Sequence, residues 1–142
     1  MQQVFWTVFA GVLVFVVGQI IIKFVIEPIH EFRKFTGEIA DALIFYCNVY
    51  SNPGLAREEE LNEAQRTFRQ QAAKLLSKAH TVSGYNLWAW CRLLPMRKDL
   101  QEAASYLIGI SNGVFDKSQS ASENNDKRRR VIESRLGLLT GE

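Results

Sequence analysis

The chain has 142 residues, a formal net charge of +2 and a hydrophobic content of 47%. This length allows one small domain beside a membrane segment, and the charge is too low to imply a nucleic-acid partner by bulk electrostatics. No cofactor or metal is expected, because the chain has only two cysteines and two histidines and no Cys-x-x-Cys spacing.

An apolar run from Val4 to Ile26 dominates the N-terminal part, and its first nineteen residues carry no charge. As a helix, the run would extend about 34 Å, against about 30 Å for the hydrocarbon core of a bilayer. A cleaved signal peptide and a buried core helix are the alternatives. The run lacks a basic n-region, a small-residue cleavage site and a polar face, so we predict a transmembrane anchor over residues 1–26.

The charges beside the anchor predict its orientation. Lys23, Arg33 and Lys34 follow the nineteen uncharged residues, whereas no Lys or Arg precedes them. The positive-inside rule therefore places the N-terminus outside and the following domain in the cytoplasm. Residues 26–40 resemble small bacterial inner-membrane proteins of unassigned role, and this resemblance implies the inner membrane.

Within the anchor, Phe5 and Trp6 are expected at the outer interface as aromatic anchors. Lys23 is expected to extend its side chain to the inner interface. Gly11 and Gly18 lie seven residues apart on one stripe, which would let a second helix approach closely. Two glycines that are merely tolerated in lipid explain the same spacing.

The segment after the anchor has the periodicity of an all-α domain. Pro28 either starts a new helix or kinks a continuous one, and apolar residues then recur at spacings of three and four as far as Tyr50. Residues 51–54 contain turn signals, and a second helix is predicted at about 54–80. The two helices are expected to form an antiparallel hairpin through a helix-packing seam made of Phe32, Phe35, Ile39, Tyr46, Leu61, Phe68 and Leu75.

Aromatic residues are concentrated in the short stretch 85–95, after which a third helix is predicted over 96–115. Trp88 and Trp90 either cap the hairpin as core residues or lie at the membrane interface, and we favour the core because a short helix needs packing. Cys47 and Cys91 fall in apolar stretches and are predicted to be reduced and buried. The cytoplasmic α-helical domain is thus expected over 27–115.

A polar stretch over 116–126 predicts a mobile linker, followed by a basic C-terminal tail over 127–142. The tail is expected to form one short helix that carries Val131, Ile132, Arg135 and Leu139 in sequence and is basic at its N-terminal end. Lys127, Arg128, Arg129 and Arg130 make a basic run that would contact anionic lipid or a protein partner, although a solvated tail explains the run equally well.

The sequence contains only weak indications of catalytic residues. His30 follows Glu27 at the Glu-x-x-His spacing of carboxylate-bridged metal bundles, but only one copy exists, so a solvated cluster is favoured. Cys91 and His80 would make a nucleophile and base only if the fold joined them. An enzyme is therefore not the favoured interpretation.

Two functions remain as hypotheses. The first is an interaction, scaffold or regulatory module anchored in the inner membrane by one span. The alternative is a membrane effector or channel-like component that self-assembles through the anchor. The expected partners are the lipid bilayer and either another protein or further copies of the chain.

Overall fold

A computed structural model describes residues 2–138 and shows an all-α protein without strands in that range, which confirms the predicted fold class. Met1 and residues 139–142 lie outside the described part, as does Leu139 of the predicted tail helix. The helices are α1 (Gln2–Ile21), α2 (Glu27–Phe45), α3 (Cys47–Ser51), α4 (Glu58–Thr81), α5 (Tyr85–Trp90), α6 (Arg97–Gly113) and α7 (Ala121–Leu136).

One uninterrupted helix of 44 residues, Gln2–Phe45, contains α1 and α2. It is the one helix within residues 2–138 that is long and apolar enough to cross a membrane, and none of its apolar window is buried. Between α1 and α2 the helix widens to a π-helical turn at Ile22–Ile26, where the N–H of Glu27 donates to the carbonyl of Ile22. Pro28 follows directly. Because its ring would clash with the carbonyl four residues back, a widened turn lets the helix continue past it.

Helices α2, α4, α6 and α7 form an up-down-up-down four-helix bundle. Gln71 and Lys78 of α4 contact Glu38 and Glu31 of α2, so these helices are antiparallel. Helix α4 packs on α6, α6 on α7, and α2 with α3 contacts both α4 and α7. The helices thereby close around one core. We call the end of the bundle nearest α1 the α1-proximal end and the opposite end the α1-distal end.

All seven residues of the helix-packing seam are buried in this core. The core continues around the break between α2 and α3, where Tyr46 leaves helical geometry and the Tyr50 hydroxyl donates to the Leu43 carbonyl at 2.9 Å. Phe68 packs edge-on against Tyr46 and Tyr50, with ring centroids 5.8 and 6.2 Å away. The same aromatic cluster therefore joins α4 to both α2 and α3.

The C-terminal part differs from the predicted linker and tail. Helix α7 begins at Ala121, inside the predicted linker, and packs along α6 as the fourth helix of the bundle. Ile132 and Leu136 are buried in the core. The polar composition of residues 116–126 concealed this helix because Asn125, although polar, is fully buried and hydrogen-bonded.

The predicted burial of both cysteines is wrong, because Cys47 and Cys91 are exposed. Trp90 is 79% exposed, so its assignment to the core is also wrong, whereas Trp88 packs partly against the core and donates from Nε1 to the Ser83 carbonyl at 3.0 Å. The short helices α3 and α5 each pack only one face against the core. An apolar stretch of this length therefore does not show which of its residues face inward.

Candidate interaction surfaces

The basic run predicted to contact lipid is largely engaged within α7. Lys127 pairs with Glu123 at 2.7 Å, and Arg130 pairs with Asp126 at 2.8 Å. Arg129 is held between Asp126 at 2.9 Å and Glu133 at 2.7 Å, with most of its side chain buried. Since three of the four cations already have carboxylate partners, the run presents less free positive charge than its sequence indicates.

Arg128, the fourth cation, points toward the bundle. Its Nη1 donates to the Gly109 carbonyl at 3.1 Å and to Asn125 Oδ1 at 2.9 Å. Asn125 Nδ2 in turn donates to the carbonyls of Tyr50 at 2.9 Å and Gly113 at 3.3 Å. We call Gly109 and Gly113 the glycine notch, because their missing side chains make room for this polar cluster between α6 and α7.

Two carboxylates of α7, those of Asp126 and Glu123, are stabilised in their charged form. A hydrogen bond from Arg129, with the charges of Arg129 and Arg130, holds the pKa of Asp126 below its usual range. A hydrogen bond from Lys127 does the same for the pKa of Glu123. Burial opposes the charge on Arg129, but its hydrogen bonds to Asp126 and Glu133 outweigh burial and raise its pKa.

Acid is therefore expected to loosen α7 before the rest of the bundle. A carboxyl whose pKa is lower in the folded state than in the unfolded state stabilises the fold above its unfolded pKa, about 3.9 for Asp, and this contribution is lost as the pH falls through the folded value. The protection factors of the α7 amides, which correct the exchange rates for the intrinsic effect of pH, should fall below about pH 4. The variant Asp126→Asn should already show faster exchange at neutral pH and a weaker response to acid; a wild-type-like acid response in that variant would contradict this assignment.

Two large apolar side chains stand exposed at the α1-distal end of α2. Ile44 is 64% and Phe45 75% exposed, and the Phe45 ring packs edge-on against Tyr46 with ring centroids 4.8 Å apart. We call these two residues the Ile44–Phe45 pair. Beside Ile44, a cleft of about 310 Å³ separates α2 and α3 from α7, and its far wall carries charged residues. The cleft is lined by Leu43, Ile44, Cys47, Tyr50, Ser51, Asp126, Arg129 and Glu133.

A shallower groove runs along the outer side of α4 and α6. Small side chains, Ala72, Ala73 and Ala104, form much of its lining, and Leu76 and Ile108 are its larger apolar members. Ile108 is 45% exposed. Leu76 and Ile108 are each less exposed than Ile44 and Phe45.

The residues assigned to the anchor lie along α1 and the π-helical turn. Phe5, Trp6, Gly11 and Lys23 are exposed, and no atom lies within 4 Å of a side chain built at Gly11 or at Gly18. Phe5 packs edge-on against Trp6, with ring centroids 6.0 Å apart. Nothing else in residues 2–138 covers this helix.

The groups considered for catalysis lie at the surface, since His30, His80 and Cys91 are all exposed. Residues 2–138 contain no group of three or more His, Cys, Asp or Glu side chains arranged to hold a metal ion.

Sequence periodicity alone did not reveal two of these features. The Ile44–Phe45 pair adjoins the seam, and a helical projection places Ile44 opposite Phe35 and Ile39 but Phe45 on the flank of the helix. Asn125 sits in a polar stretch without apolar signals. The spacing of Gly109 and Gly113, four residues apart on one helix face, is the sequence signal that could have indicated a close contact at α6.

Comparison of the chain with protein-family models, with curated proteins and with solved structures finds no match.

Proposed function

We propose that this chain is a single-pass, membrane-anchored interaction module that holds a protein partner beside the cytoplasmic face of the inner membrane. The exposed apolar helix α1 would serve as the anchor, and the four-helix bundle would present the binding surface. The observation that carries the proposal is the Ile44–Phe45 pair, an aliphatic and an aromatic side chain that are mostly exposed on a helix continuous with α1.

The position of the pair favours a protein over lipid. Phe45 lies eighteen residues beyond Glu27 along the same helix, about 27 Å at the rise of an α-helix. The headgroup layer of a leaflet is only about 5–7 Å thick. With α1 in the bilayer, the pair would therefore stand well above the lipid surface, within reach of a protein at the membrane.

The chemistry of the surroundings describes the partner. Phe is enriched at the buried centres of protein interfaces, where a few large side chains provide most of the binding energy. The cleft beside Ile44 can accept an apolar side chain, and Asp126, Arg129 and Glu133 would form its polar rim. We therefore expect a partner that covers Phe45 with an apolar pocket and inserts a side chain beside Ile44.

The proposal is tested by site-specific photocrosslinking in native membranes. A photoreactive benzoylphenylalanine at position 45 is expected to give one discrete adduct with a different protein. The same residue at position 108, on the groove of α4 and α6, is the matched control and should give none. Absence of an adduct at position 45, or equal adducts at both positions, would contradict the proposal.

The second candidate is self-assembly through the anchor, the alternative raised by the glycine stripe. The open space beside Gly11 and Gly18 is the observation that supports it, because a second helix can approach there without a clash. Crosslinking separates the two functions. An adduct at position 45 with twice the 16.2 kDa mass of the chain would favour assembly over adaptor function.

A further inference from the structure

Helix α5 and the turn after it lie at the α1-proximal end, level with the π-helical turn. Because Gln71 is opposite Glu38 and Lys78 is opposite Glu31, the same register puts Thr81, the last residue of α4, opposite Pro28. Thr81 indeed lines a cleft together with Lys23, Glu27 and Pro28. The chain then continues past Thr81 toward α1 before it turns into α5.

The following segment stays at the same level. The Tyr85 ring packs edge-on against Phe32 at 6.1 Å, and Arg33 Nη2 donates to the Leu93 carbonyl at 3.4 Å. Helices α4 and α6 are antiparallel, and Arg69 of α4 contacts Asn112 of α6. The same register puts Arg97, the first residue of α6, level with Gly84. Residues 84–97 are therefore the part of the bundle nearest to the membrane if α1 spans it.

This segment has both buried and exposed apolar side chains. Tyr85, Ala89 and Leu94 are buried, and the Tyr85 hydroxyl donates to the Pro95 carbonyl at 2.6 Å. Four other apolar side chains of the segment are exposed and are of the kinds found in interfacial helices. They are Leu87 (55% exposed), Trp90 (79%), Leu93 (41%) and Met96 (61%), of which Leu93 and Met96 also line a cleft of about 530 Å³ with Arg33 and Arg135.

The charges at this level are mostly positive. Several carboxylates are already paired: Glu31 with Lys78 at 3.6 Å, and Asp99 and Glu102 with Arg135 at 3.4 and 3.0 Å. The positive residues at this end are Lys23, Arg33, Lys34, Lys78, Arg92, Arg97, Lys98 and Arg135, and the negative ones are Glu27, Glu31, Asp99, Glu102 and Glu133. Such a balance favours the anionic surface of a cytoplasmic leaflet.

Arg92 adds an independent observation. Its φ of 59° lies in the left-handed region, in residues 2–138 the one such value outside glycine. The Leu93 N–H donates to the Trp88 carbonyl at 3.0 Å, so Arg92 occupies the helix-ending position at which glycine is ordinarily favoured. The chain keeps a strained, charged and exposed side chain beside Trp90 where a glycine would fold more easily.

We propose that residues 87–96 form an interfacial wedge that docks into the same bilayer that α1 spans, with Leu87, Trp90, Leu93 and Met96 among the lipid headgroups and Arg92 and Arg97 on anionic lipid. The bundle would thereby hold a fixed tilt on the membrane and direct the Ile44–Phe45 pair toward its partner. This inference rests on the anchoring role of α1 in the proposed function.

The two native cysteines allow a direct test, because Cys91 lies in the wedge and Cys47 at the α1-distal end. The full chain is placed in nanodiscs of phosphatidylcholine with phosphatidylglycerol. Three singly labelled proteins are compared. The spin label is on Cys91 in the Cys47→Ser variant and on Cys47 in the Cys91→Ser variant. In the third protein, which lacks both native cysteines, the label is on the cysteine introduced by Leu13→Cys. We expect the Cys91 label to be less accessible to a water-soluble nickel complex, and more accessible to oxygen, than the Cys47 label.

Two variants connect this result to the wedge itself. Leu87→Ala with Trp90→Ala should restore nickel access at Cys91, and both replaced side chains are exposed enough to leave the fold intact. Arg92→Gly should restore part of that access in anionic nanodiscs without lowering the thermal unfolding midpoint. If the Cys91 label is as open to nickel as the Cys47 label while Leu13 is shielded, the wedge is disproved and the anchor stands. If the Leu13 label is itself open to nickel, the anchor fails and the wedge fails with it.

Discussion

Gly113→Ala is expected to lower the free energy of unfolding by about 2–4 kcal/mol and to release α7 from the bundle. A Cβ at this position would overlap Asn125 Oδ1 and lie 2.9 Å from Arg128 Nη1. Asn125 is fully buried, so its displacement breaks its hydrogen bonds to the carbonyls of Tyr50 and Gly113 and leaves buried polar groups unpaired. Denaturant unfolding in nanodiscs measures the loss, and amide exchange should locate it in α7.

Gly37→Ala is the matched control for this prediction. Gly37 lies inside α2, and nothing lies within 4 Å of a Cβ built there. The substitution should therefore be neutral or should stabilise the helix by up to about 1 kcal/mol. If Gly113→Ala unfolds at the same denaturant concentration as Gly37→Ala, the glycine notch does not hold α7 in the way described above.

The double substitution Ile44→Ala and Phe45→Ala is expected to weaken partner binding by at least about 30-fold, the effect of removing roughly 2 kcal/mol of interface energy. Both side chains are mostly exposed, so their truncation costs little folding stability and separates binding from folding. The measurement is the affinity of the nanodisc-embedded chain for the protein crosslinked at position 45. Circular dichroism should show unchanged helicity.

Ile108→Ala provides the comparison for this affinity loss. It removes an exposed aliphatic side chain from the groove of α4 and α6 instead of from α2. We expect its affinity to remain within a factor of about three of the wild type, a difference below 1 kcal/mol. If Ile108→Ala loses as much affinity as the double variant, the interface is not specific to the Ile44–Phe45 pair and the proposal is wrong on this point.

Periodicity predicted the core because burial follows the helical repeat directly. Phe35, Ile39 and Phe68 are three or four positions from other apolar residues, and each such position must face a neighbouring helix. One break was also predictable. Gly54 adopts a positive φ of 74° within residues 51–54, where the sequence indicated a turn.

The first half of the fourth helix could not be predicted in the same way. Its contact with α6 there depends on Asn125 and Arg128, which fill the glycine notch through hydrogen bonds and leave no apolar repeat in that part of the sequence. The basic run was conspicuous in sequence, but its ion pairs with Asp126 and Glu133 depend on spacings of three and four within a helix that had to be recognised first.

Short segments were the other source of error. In α5, Ala89 is buried and Trp90 exposed, although Trp90 is much the more hydrophobic residue. A six-residue helix has too few turns for a repeat to identify its inner face. The surfaces proposed here for the partner and for lipid lie in just these places, at the end of α2 and in α5, where apolar side chains depart from the repeat.

The most direct test of the membrane-anchored adaptor is the mass of the intact protein extracted in native lipid nanodiscs, with any co-purifying protein identified. The account predicts one 16.2 kDa chain in each particle together with a different protein, which is lost from the Ile44→Ala, Phe45→Ala variant. A homogeneous multiple of the chain that contains no other protein would contradict it, and would direct attention to Gly11 and Gly18 and to assembly as the activity.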